Sequence, residues 1–228
     1  MNNVLVLQCS PHAGGVSDSV ANLFIKGMAE AGIEARTAAL RDYAFSPCTG
    51  CGGCSRPPHK CVLADRPLPG QNGPGAVPDQ AEEVFQLIND AGLIMISSPI
   101  YFYFLPAHFK ALIDRTQRFW MLRGGEDRVP LTLSRAKPVL VAMTAGRRRG
   151  KLLFSGSLLS LKYFLAPLES GIRETRLLRG LESIKDLHER PAVMAALHAW
   201  GHDWGRRLAT EQAARDPAQA LPGDAPKP

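Results

Sequence analysis

Short apolar runs alternate along the chain with longer segments of helical periodicity. The apolar runs lack alternation of polar and apolar positions, which is typical of strands buried on both faces of a parallel sheet. The helical segments repeat apolar residues three and four positions apart, which creates one buried face. We predict strands at 4–9, 33–40, 93–97, 138–143 and 172–178. We predict helices at 20–31, 80–90, 107–120, 152–168 and 191–210.

This order of elements predicts an α/β fold with a doubly wound sheet of five parallel strands and helices on both faces. Ligands bind to such a sheet beyond the carboxyl ends of its strands, where the strand order reverses. We therefore expect the loops 10–19, 98–104 and 144–150 to meet there.

The length of 228 residues suits one large domain, which we place at 1–212, followed by a disordered tail at 213–228 rich in Pro, Ala and Gly. Residues 65–79 contain four prolines and three glycines without periodicity, so we interpret 66–79 as an exposed insertion. The first residues resemble no signal peptide, and no stretch is apolar enough to span a membrane. We accordingly expect a cytoplasmic, reducing location without membrane contact.

A net charge of +6 is modest, and its densest basic run lies at 147–151. The run suits a solvated loop, or a site for an anionic cofactor or an acidic electron-transfer partner. Neither a recognised module nor an aromatic platform accompanies it, which argues against a nucleic-acid partner.

Four of the five cysteines lie in one short stretch with the spacing C-x2-C-x2-C-x6-C. Close spacing lets several thiolates of one loop converge on one centre, and nearby glycines ease the tight turns. The C-x2-C-x2-C core is typical of iron–sulfur proteins, so the leading interpretation is a 4Fe-4S cluster. The predicted ligands are Cys48, Cys51, Cys54 and Cys61.

Other interpretations of this loop stay open. Structural zinc also uses four thiolates, although its ligands usually come as two separated pairs. Disulfides need an oxidising compartment, which nothing in the sequence indicates. Redox-active thiols, or a loop that binds nothing, are also compatible with the spacing.

The loop 10–19 leads from the first strand into a helix amino terminus, where free N–H groups and the helix dipole favour an anion. Ser10, Ser17 and Ser19 add hydroxyl donors, and no Gly-Lys-Ser/Thr or G-x-G-x-x-G pattern is present. A single phosphate monoester fits this loop, and so does a plain serine-capped helix start.

The second loop places aromatic and apolar surface at the same end of the sheet, through Pro99, Ile100, Tyr101 and Phe102. A flat ring could stack there, although core aromatics at a strand end would look the same. The third loop, at 144–146, offers backbone donors and a hydroxyl to the polar edge of a ring. A phosphate and a flat ring without a second nucleotide indicate FMN.

These three segments, with the sequence 112–115 and the cysteine loop, resemble the flavodoxin-like NADPH-dependent FMN reductases, and most of all the iron–sulfur flavoproteins. The resemblance covers about residues 3–210 and implies the strand order 2-1-3-4-5. It implies that the FMN phosphate is held by Ser10, His12, Ser17 and Ser19. It implies that the isoalloxazine contacts Pro99, Ile100, Tyr101 and Phe102, with Thr144, Ala145 and Gly146 at its pyrimidine edge. The four clustered cysteines match the family's cysteine motif one by one.

Two positions depart from the family pattern. His12 stands where relatives often carry arginine or lysine, which predicts weaker or pH-dependent phosphate binding. Cys9 replaces a usual glycine, and we interpret it as a buried small residue without a cluster role.

Three functions follow as hypotheses. The first is an electron-transfer iron–sulfur flavoprotein, with FMN and a 4Fe-4S cluster, a ferredoxin-like donor and a small-molecule acceptor. The second is an NAD(P)H-dependent FMN or quinone reductase without a cluster, in which Arg147, Arg148, Arg149 or Lys151 would hold the nucleotide phosphate. The third is a zinc-stabilised binding module. No catalytic acid or base is predicted, and the resemblance implies a homodimer or homotetramer.

Overall fold

Five parallel strands form the centre of the molecule in the order β2-β1-β3-β4-β5. The computed structural model describes residues 3–64, 66–71, 73–124 and 136–215. The strands are β1 (Val4–Gln8), β2 (Ala35–Ala39), β3 (Leu93–Pro99), β4 (Lys137–Ala145) and β5 (Ser170–Arg179). Strand β1 pairs in parallel with β2 on one side and with β3 on the other, and the strand order reverses between β1 and β3. The predicted sheet and its order 2-1-3-4-5 are confirmed.

Side-chain alternation along the buried strands divides the interior into two cores. Leu5 and Leu7 of β1 point into one core, and Val4 and Val6 point into the other. Because both faces of each strand are covered, every position of β1 is apolar or buried, which explains the continuous apolar run.

Seven helices cover the two faces among the described residues. They are α1 (Val16–Glu30), α2 (Ala81–Asp90), α3 (Ala107–Arg115), α4 (Gln117–Leu122), α5 (Ser155–Leu165), α6 (Ile184–His188) and α7 (Pro191–Arg215). Helices α1, α6 and α7 pack on the core that contains Val4. Helices α2 to α5 pack on the core that contains Leu5. Within the described part of the chain, no helix has both the length and the apolar character that a membrane crossing requires.

Glycines let α1 and α7 approach closely. A Cβ atom built on Gly27 would lie 2.0 Å from the carbonyl oxygen of His198, and one on Gly201 would lie 2.0 Å from that of Phe24. No larger side chain fits between these backbones without displacing one helix. The contact matters for function because α1 begins at the carboxyl end of β1.

Some predicted boundaries differ from the structure. The helix predicted at 107–120 is divided at Thr116, whose hydroxyl donates to the carbonyl oxygen of Ile113 and competes with the helical ladder. The helix predicted at 152–168 ends in a 3-10 turn at Ala166–Leu168, where Pro167 cannot continue the α-helical hydrogen bonding. Helix α7 continues to Arg215, so residues 213–215 of the predicted tail are helical. The rest of that tail lies outside the described residues.

The insertion 66–79 is folded back on itself. Its ends pair through an antiparallel bridge between Pro67 and Pro78, and the Leu68 N–H donates to the Val77 carbonyl oxygen at 3.0 Å. At its base, the Asp79 N–H donates to the Arg66 carbonyl oxygen at 2.8 Å. The insertion is thus a closed loop anchored at Asp79, which is buried.

Candidate functional site

A cavity of about 350 Å³ opens at the carboxyl ends of β1, β3 and β4, and we call it the strand-end cavity. It lies where the strand order reverses, which is the position that the sheet topology predicts. The structure brings all three predicted loops to this cavity. Its lining includes the predicted residues Ser10, His12, Ser17, Pro99, Ile100, Tyr101, Thr144 and Gly146.

Three other predicted residues are absent from this lining. Ser19 donates its hydroxyl to the Gly15 carbonyl oxygen at 3.1 Å, inside the first turn of α1. Ala145 is buried under the cavity. Phe102 is fully exposed and projects into solvent from the loop after β3. The roles assigned to these three residues stay predictions, as do those of the eight residues that line the cavity.

The amino terminus of α1 forms one wall of the strand-end cavity. Gly15 precedes the helix in an extended conformation, and no side chain caps the first turn. The first N–H groups of a helix need partners, and together with the helix dipole they attract an anion. The hydroxyl of Ser10, held by the His12 N–H at 3.2 Å, keeps the loop in this shape. This geometry suits a phosphate group.

A partly buried ion pair supports the same loop from behind. Asp18 accepts the Gly14 N–H at 2.8 Å and pairs with Arg41 at 2.9 Å. Arg41 also donates to the Ser10 carbonyl oxygen at 3.3 Å. The guanidinium offsets the charge of a carboxylate that would otherwise repel an anion in the first turn of α1. The sequence analysis did not identify Asp18 or Arg41, because the two residues lie 23 positions apart in the chain.

Buried hydroxyls join the three loops. The hydroxyls of Ser17 and Thr144 lie 2.8 Å apart, and the Ser97 hydroxyl donates to the Ser17 carbonyl oxygen at 2.7 Å. The Ile100 N–H donates to the Thr144 carbonyl oxygen at 2.8 Å. These contacts link the three loops that form the walls of the cavity.

The loop after β3 contains a tight turn with two aromatic residues in the left-handed region. Tyr101 and Phe104 exchange two backbone hydrogen bonds of 2.9 Å, and Phe102 and Tyr103 between them have φ values of 49° and 64°. Non-glycine residues in this region cost free energy, and such strain often marks functional sites. The turn holds Tyr101 at the cavity wall and Phe102 outside it.

A fourth segment completes the strand-end cavity and was not predicted. It contributes Leu181, Glu182, Ser183 and Ile184, just after β5. The carboxylate of Glu182 lies against Gly146, where a Cβ atom would stand 1.5 Å from Glu182 Oε2. Ser183 and Asp186 form a capping box that begins α6. The Ser-x-x-Asp pattern at 183–186 was the sequence signal for this helix start.

The environment of Tyr101 alters its acidity. Partial burial raises the pKa of Tyr101 above its ordinary value, and the carboxylate of Glu182 raises it further, while a hydrogen bond with Ser10 acts in the opposite direction. The phenol is therefore protonated at neutral pH and is available as a donor in the cavity wall.

A second cavity of about 200 Å³ is lined by all four predicted ligands, Cys48, Cys51, Cys54 and Cys61. We call it the cysteine cavity. Its opposite wall comes from the end of α3 and the start of α4 and contains Asp114, Arg115, Gln117 and Arg118. None of the described residues of the insertion 66–79 lines it.

Local backbone geometry directs the thiols to this cavity. Gly50 and Gly52 have φ values of 66° and 69°, where other residues would be strained. The Gly50 N–H donates to the sulfur of Cys48 at 3.5 Å. Gly53 touches the side chain of Val62, and a Cβ at that position would lie 2.4 Å from Val62 Cγ1. The glycines thus serve the tight turns that their spacing predicted.

The thiols differ in acidity. A hydrogen bond from the Gly53 backbone lowers the pKa of Cys51, which is exposed. Burial raises the pKa of Cys54, and the charges of the other three thiolates raise it further. Burial also raises the pKa of Cys9, which lies in the core away from this loop, as predicted for a residue without a cluster role.

The spacing of the thiols bears on what they could hold. Among the described residues, no three His, Cys, Asp or Glu side chains converge tightly enough to bind one metal ion. A zinc ion needs four sulfurs within about 2.3 Å of one point. A cuboidal cluster binds each cysteine to a different iron, so its thiolates stand farther apart. In the part of the chain that the structure describes, the four thiols line one cavity without converging on a single point.

Arg115 gives a second indication about the occupant of the cysteine cavity. Its side chain is fully buried, and its Nη1 donates to Asp79 at 2.9 Å and to the Ser46 carbonyl oxygen at 3.0 Å. Its Nε and Nη2 are buried and have no hydrogen-bond partner within the described residues. Arg115 is among the residues that line the cavity, and its two unsatisfied cationic donors suit an anionic neighbour.

Comparison with known proteins decides the family. A family model described as NADPH-dependent FMN reductase matches residues 2–164, more than half of the chain. The chain belongs to this family. The finding confirms the resemblance that the three loops indicated, and the family is one of flavin-dependent oxidoreductases.

Two curated relatives are both iron–sulfur flavoproteins. The chain is 26% identical over 114 residues to one from Methanocaldococcus jannaschii, which covers 50% of this chain and 51% of the relative. It is 26% identical over 107 residues to one from Methanosarcina thermophila, which covers 47% and 48%. The chain spans about half the length of the curated relatives it matches.

Solved structures of flavin enzymes share the fold. An NAD(P)H:quinone oxidoreductase from Methanothermobacter marburgensis superposes with a TM-score of 0.58 at 16% identity, covering 90% of this chain and 95% of that chain. An FMN-dependent NADH-azoreductase from Bacillus anthracis, solved with FMN, superposes with a TM-score of 0.57 at 14% identity, covering 91% and 100%. At such identities the likeness shows the fold alone.

Proposed function

We propose that the protein is an FMN-dependent oxidoreductase that passes electrons between a reduced donor and a small acceptor, with FMN in the strand-end cavity and a 4Fe-4S cluster in the cysteine cavity. When bound, FMN supplies two-electron chemistry and the cluster supplies one-electron steps. The observation that carries the proposal is the cysteine cavity itself. It is lined by four thiols and walled by a buried cation with two free donors.

The described residues suggest how FMN would be held. The free N–H groups at the start of α1, with Ser10, His12 and Ser17, would bind the phosphate. Pro99, Ile100 and Tyr101 would lie along the ring system. Thr144 and Gly146 would face its polar edge, where the backbone supplies donors.

An acidic ferredoxin-like donor suits the surface beside the strand-end cavity. Arg147, Arg148, Arg149 and Lys151 are all exposed, and the guanidinium of Arg147 lies 5.4 Å from the centre of the Tyr103 ring. A patch of one sign raises the rate of encounter with an oppositely charged partner.

The alternative is an NAD(P)H-dependent FMN or quinone reductase without a cluster. The family description favours NADPH, and the same four basic side chains could hold the phosphates of a pyridine nucleotide. The two proposed functions differ in their electron donor. Anaerobic bleaching of the flavin by NADPH supports the reductase, whereas reduction by ferredoxin and not by NADPH supports electron transfer.

A homodimer or homotetramer would bring the two sites of different subunits together. No described residue lines both cavities of one chain, and Cys48 and Cys51 are exposed. Phe102, Leu152, Leu159 and Tyr163 are exposed apolar side chains that a partner subunit could cover. A monomer in sedimentation that still transfers electrons from cluster to flavin would refute this assembly.

Anaerobic purification with iron, sulfide and flavin assays tests the proposal. We expect about four irons per chain together with FMN. Cys54→Ala should lose the iron and keep the FMN, while Cys9→Ala, which removes a thiol outside the cavity, should keep both. FMN without iron, even after anaerobic reconstitution, would favour the cluster-free reductase.

A further inference from the structure

The guanidinium of Arg115 has hydrogen-bonding groups that its ion pair with Asp79 does not occupy. A buried charge is costly unless it is paired and its hydrogen-bonding groups are used. Here Nη1 donates hydrogen bonds to Asp79 and to the Ser46 carbonyl oxygen. Nε and Nη2 have no hydrogen-bond partner in the described part of the chain. Each unsatisfied buried donor is destabilising, and a charged one more so.

Support of the insertion does not require these two nitrogens. Asp79 also accepts the Ser46 N–H at 2.9 Å and the Ala81 N–H at 3.2 Å, so it has three hydrogen bonds, of which one comes from a cationic donor. Nη1 alone supplies that donor. The remaining nitrogens of the planar fork are left for another acceptor.

The charges around Arg115 indicate where that acceptor lies. Asp79 and Glu82 act on the guanidinium from α2 and the segment before it, and Cys61 acts on it from the cysteine loop. Asp79 is already bonded to Nη1, and Glu82 is engaged by Arg118. Cys61 is the remaining one of these three groups, and it has no hydrogen bond to Arg115 in the structure, although Arg115 lines the cavity that the thiols also line.

We propose, on the basis of the function proposed above, that Arg115 donates hydrogen bonds to the thiolate-bound cluster and raises its reduction potential. Reduction adds one electron, and therefore one negative charge, to the group beside the guanidinium. A buried cation with free donors stabilises the reduced form more than the oxidised form. Arg115 binds no electron itself and moves no proton.

Arg118 provides a matched control. It lines the same cavity, but its Nε and Nη2 are both bonded to Glu82. The variants Arg115→Lys and Arg118→Lys keep the charge and remove the fork. In a redox titration of the anaerobic protein with dithionite, read by the paramagnetic signal of the reduced cluster, Arg115→Lys should shift the equilibrium about tenfold toward the oxidised form, or about 59 mV for one electron. Arg118→Lys should shift it less than about twofold.

A purely structural role for Arg115 predicts a different pattern. Asp79→Asn breaks the ion pair but keeps the fork of Arg115, so it should lower the unfolding midpoint. Because it removes a negative charge, it should move the cluster potential up, whereas Arg115→Lys should move it down. Parallel changes of both properties in Asp79→Asn and Arg115→Lys would overturn the inference. If Arg115→Lys does not fold, Arg115→Gln combined with Asp79→Asn removes the whole pair and is compared with Asp79→Asn alone.

The outcomes separate this inference from the proposed function. Absence of iron in the reconstituted wild type would overturn both. A wild type with a cluster whose potential is unchanged in the Arg115 variant would overturn the inference alone.

Discussion

The two cavities are built in different ways. The strand-end cavity is made by the sheet, because β1, β3 and β4 deliver three loops to one edge. The cysteine cavity is made by one loop that curls over the junction of α3 and α4. The first depends on the topology of the whole domain, and the second depends on a short stretch of glycines and cysteines and on the helix ends behind it.

Their electrostatics differ as well. In the strand-end cavity the buried carboxylate of Asp18 is matched by Arg41, and the hydroxyls of Ser17 and Thr144 are bonded to each other. In the cysteine cavity Arg115 keeps two donors without partners in the described residues. The polar groups named in the first site are paired within the chain, whereas the second keeps two buried donors without a partner in the described residues.

The largest expected effect comes from the close contact between helices α1 and α7 at Gly27 and Gly201. Gly201→Ala places a Cβ about 2 Å from the backbone of Phe24 and should destabilise the protein by about 3 kcal/mol. Because α1 forms a wall of the strand-end cavity, FMN affinity should fall as well, while thiol reactivity in the cysteine loop stays unchanged. Urea unfolding, flavin fluorescence titration and thiol counting measure the three properties.

Gly156→Ala is the matched control for this substitution. Gly156 is also helical, but a Cβ there meets its nearest neighbour, Phe104 Cδ2, at an ordinary 3.6 Å. We expect it to be neutral or to stabilise by about 0.5 kcal/mol, because alanine favours helix over glycine. Equal stability of the two variants would contradict the close backbone contact between α1 and α7.

A smaller effect should follow from removing the partner of Asp18. Arg41→Gln leaves a buried carboxylate unpaired in the first turn of α1, where it would repel a phosphate. We expect FMN to bind about tenfold more weakly, as measured by fluorescence titration of the apoprotein. Arg36→Gln removes the same charge from an exposed position on β2 and should leave the affinity unchanged. Equal affinities would show that the phosphate does not lie at this loop.

The thiols of the cysteine loop should react at different rates in the cluster-free protein. Cys51 is exposed and has a lowered pKa through its hydrogen bond from Gly53, whereas burial raises the pKa of Cys54. Iodoacetamide at neutral pH should modify Cys51 at least about threefold faster than Cys54, because the thiolate is the nucleophile. Peptide mass spectrometry measures both rates, and buried Cys9 serves as an unreactive reference. Faster reaction of Cys54 would contradict the described environments.

The smallest effect concerns Tyr101. Glu182→Gln removes a negative charge that disfavours the tyrosinate, so the pKa of Tyr101 should fall, yet stay above its ordinary value because burial persists. Ultraviolet titration of tyrosinate, with Tyr101→Phe to identify the signal, measures the shift. Glu189→Gln, at an exposed position beyond α6, should leave the pKa unchanged. A rise on Glu182→Gln would place the carboxylate away from the phenol.

Much of the strand-end cavity was predictable because its residues follow strands. Eight of the predicted residues, from Ser10 to Gly146, line it, since strand ends in a parallel sheet meet at one edge. Phe102 was harder to place. Whether an aromatic residue after β3 points inward depends on a turn with two positive φ values, which no residue type in that segment indicates.

The sequence by itself determined the five strands, their order through the family resemblance, and the four thiols of one loop, because periodicity and spacing are local properties of a chain. Only the tertiary structure decided what stands opposite those thiols. Arg115 lies 36 residues from Asp79, and Gly146 lies as far along the chain from Glu182. Residues so far apart in sequence come into contact only when the strands between them pair in register. No local sequence pattern therefore predicts these contacts.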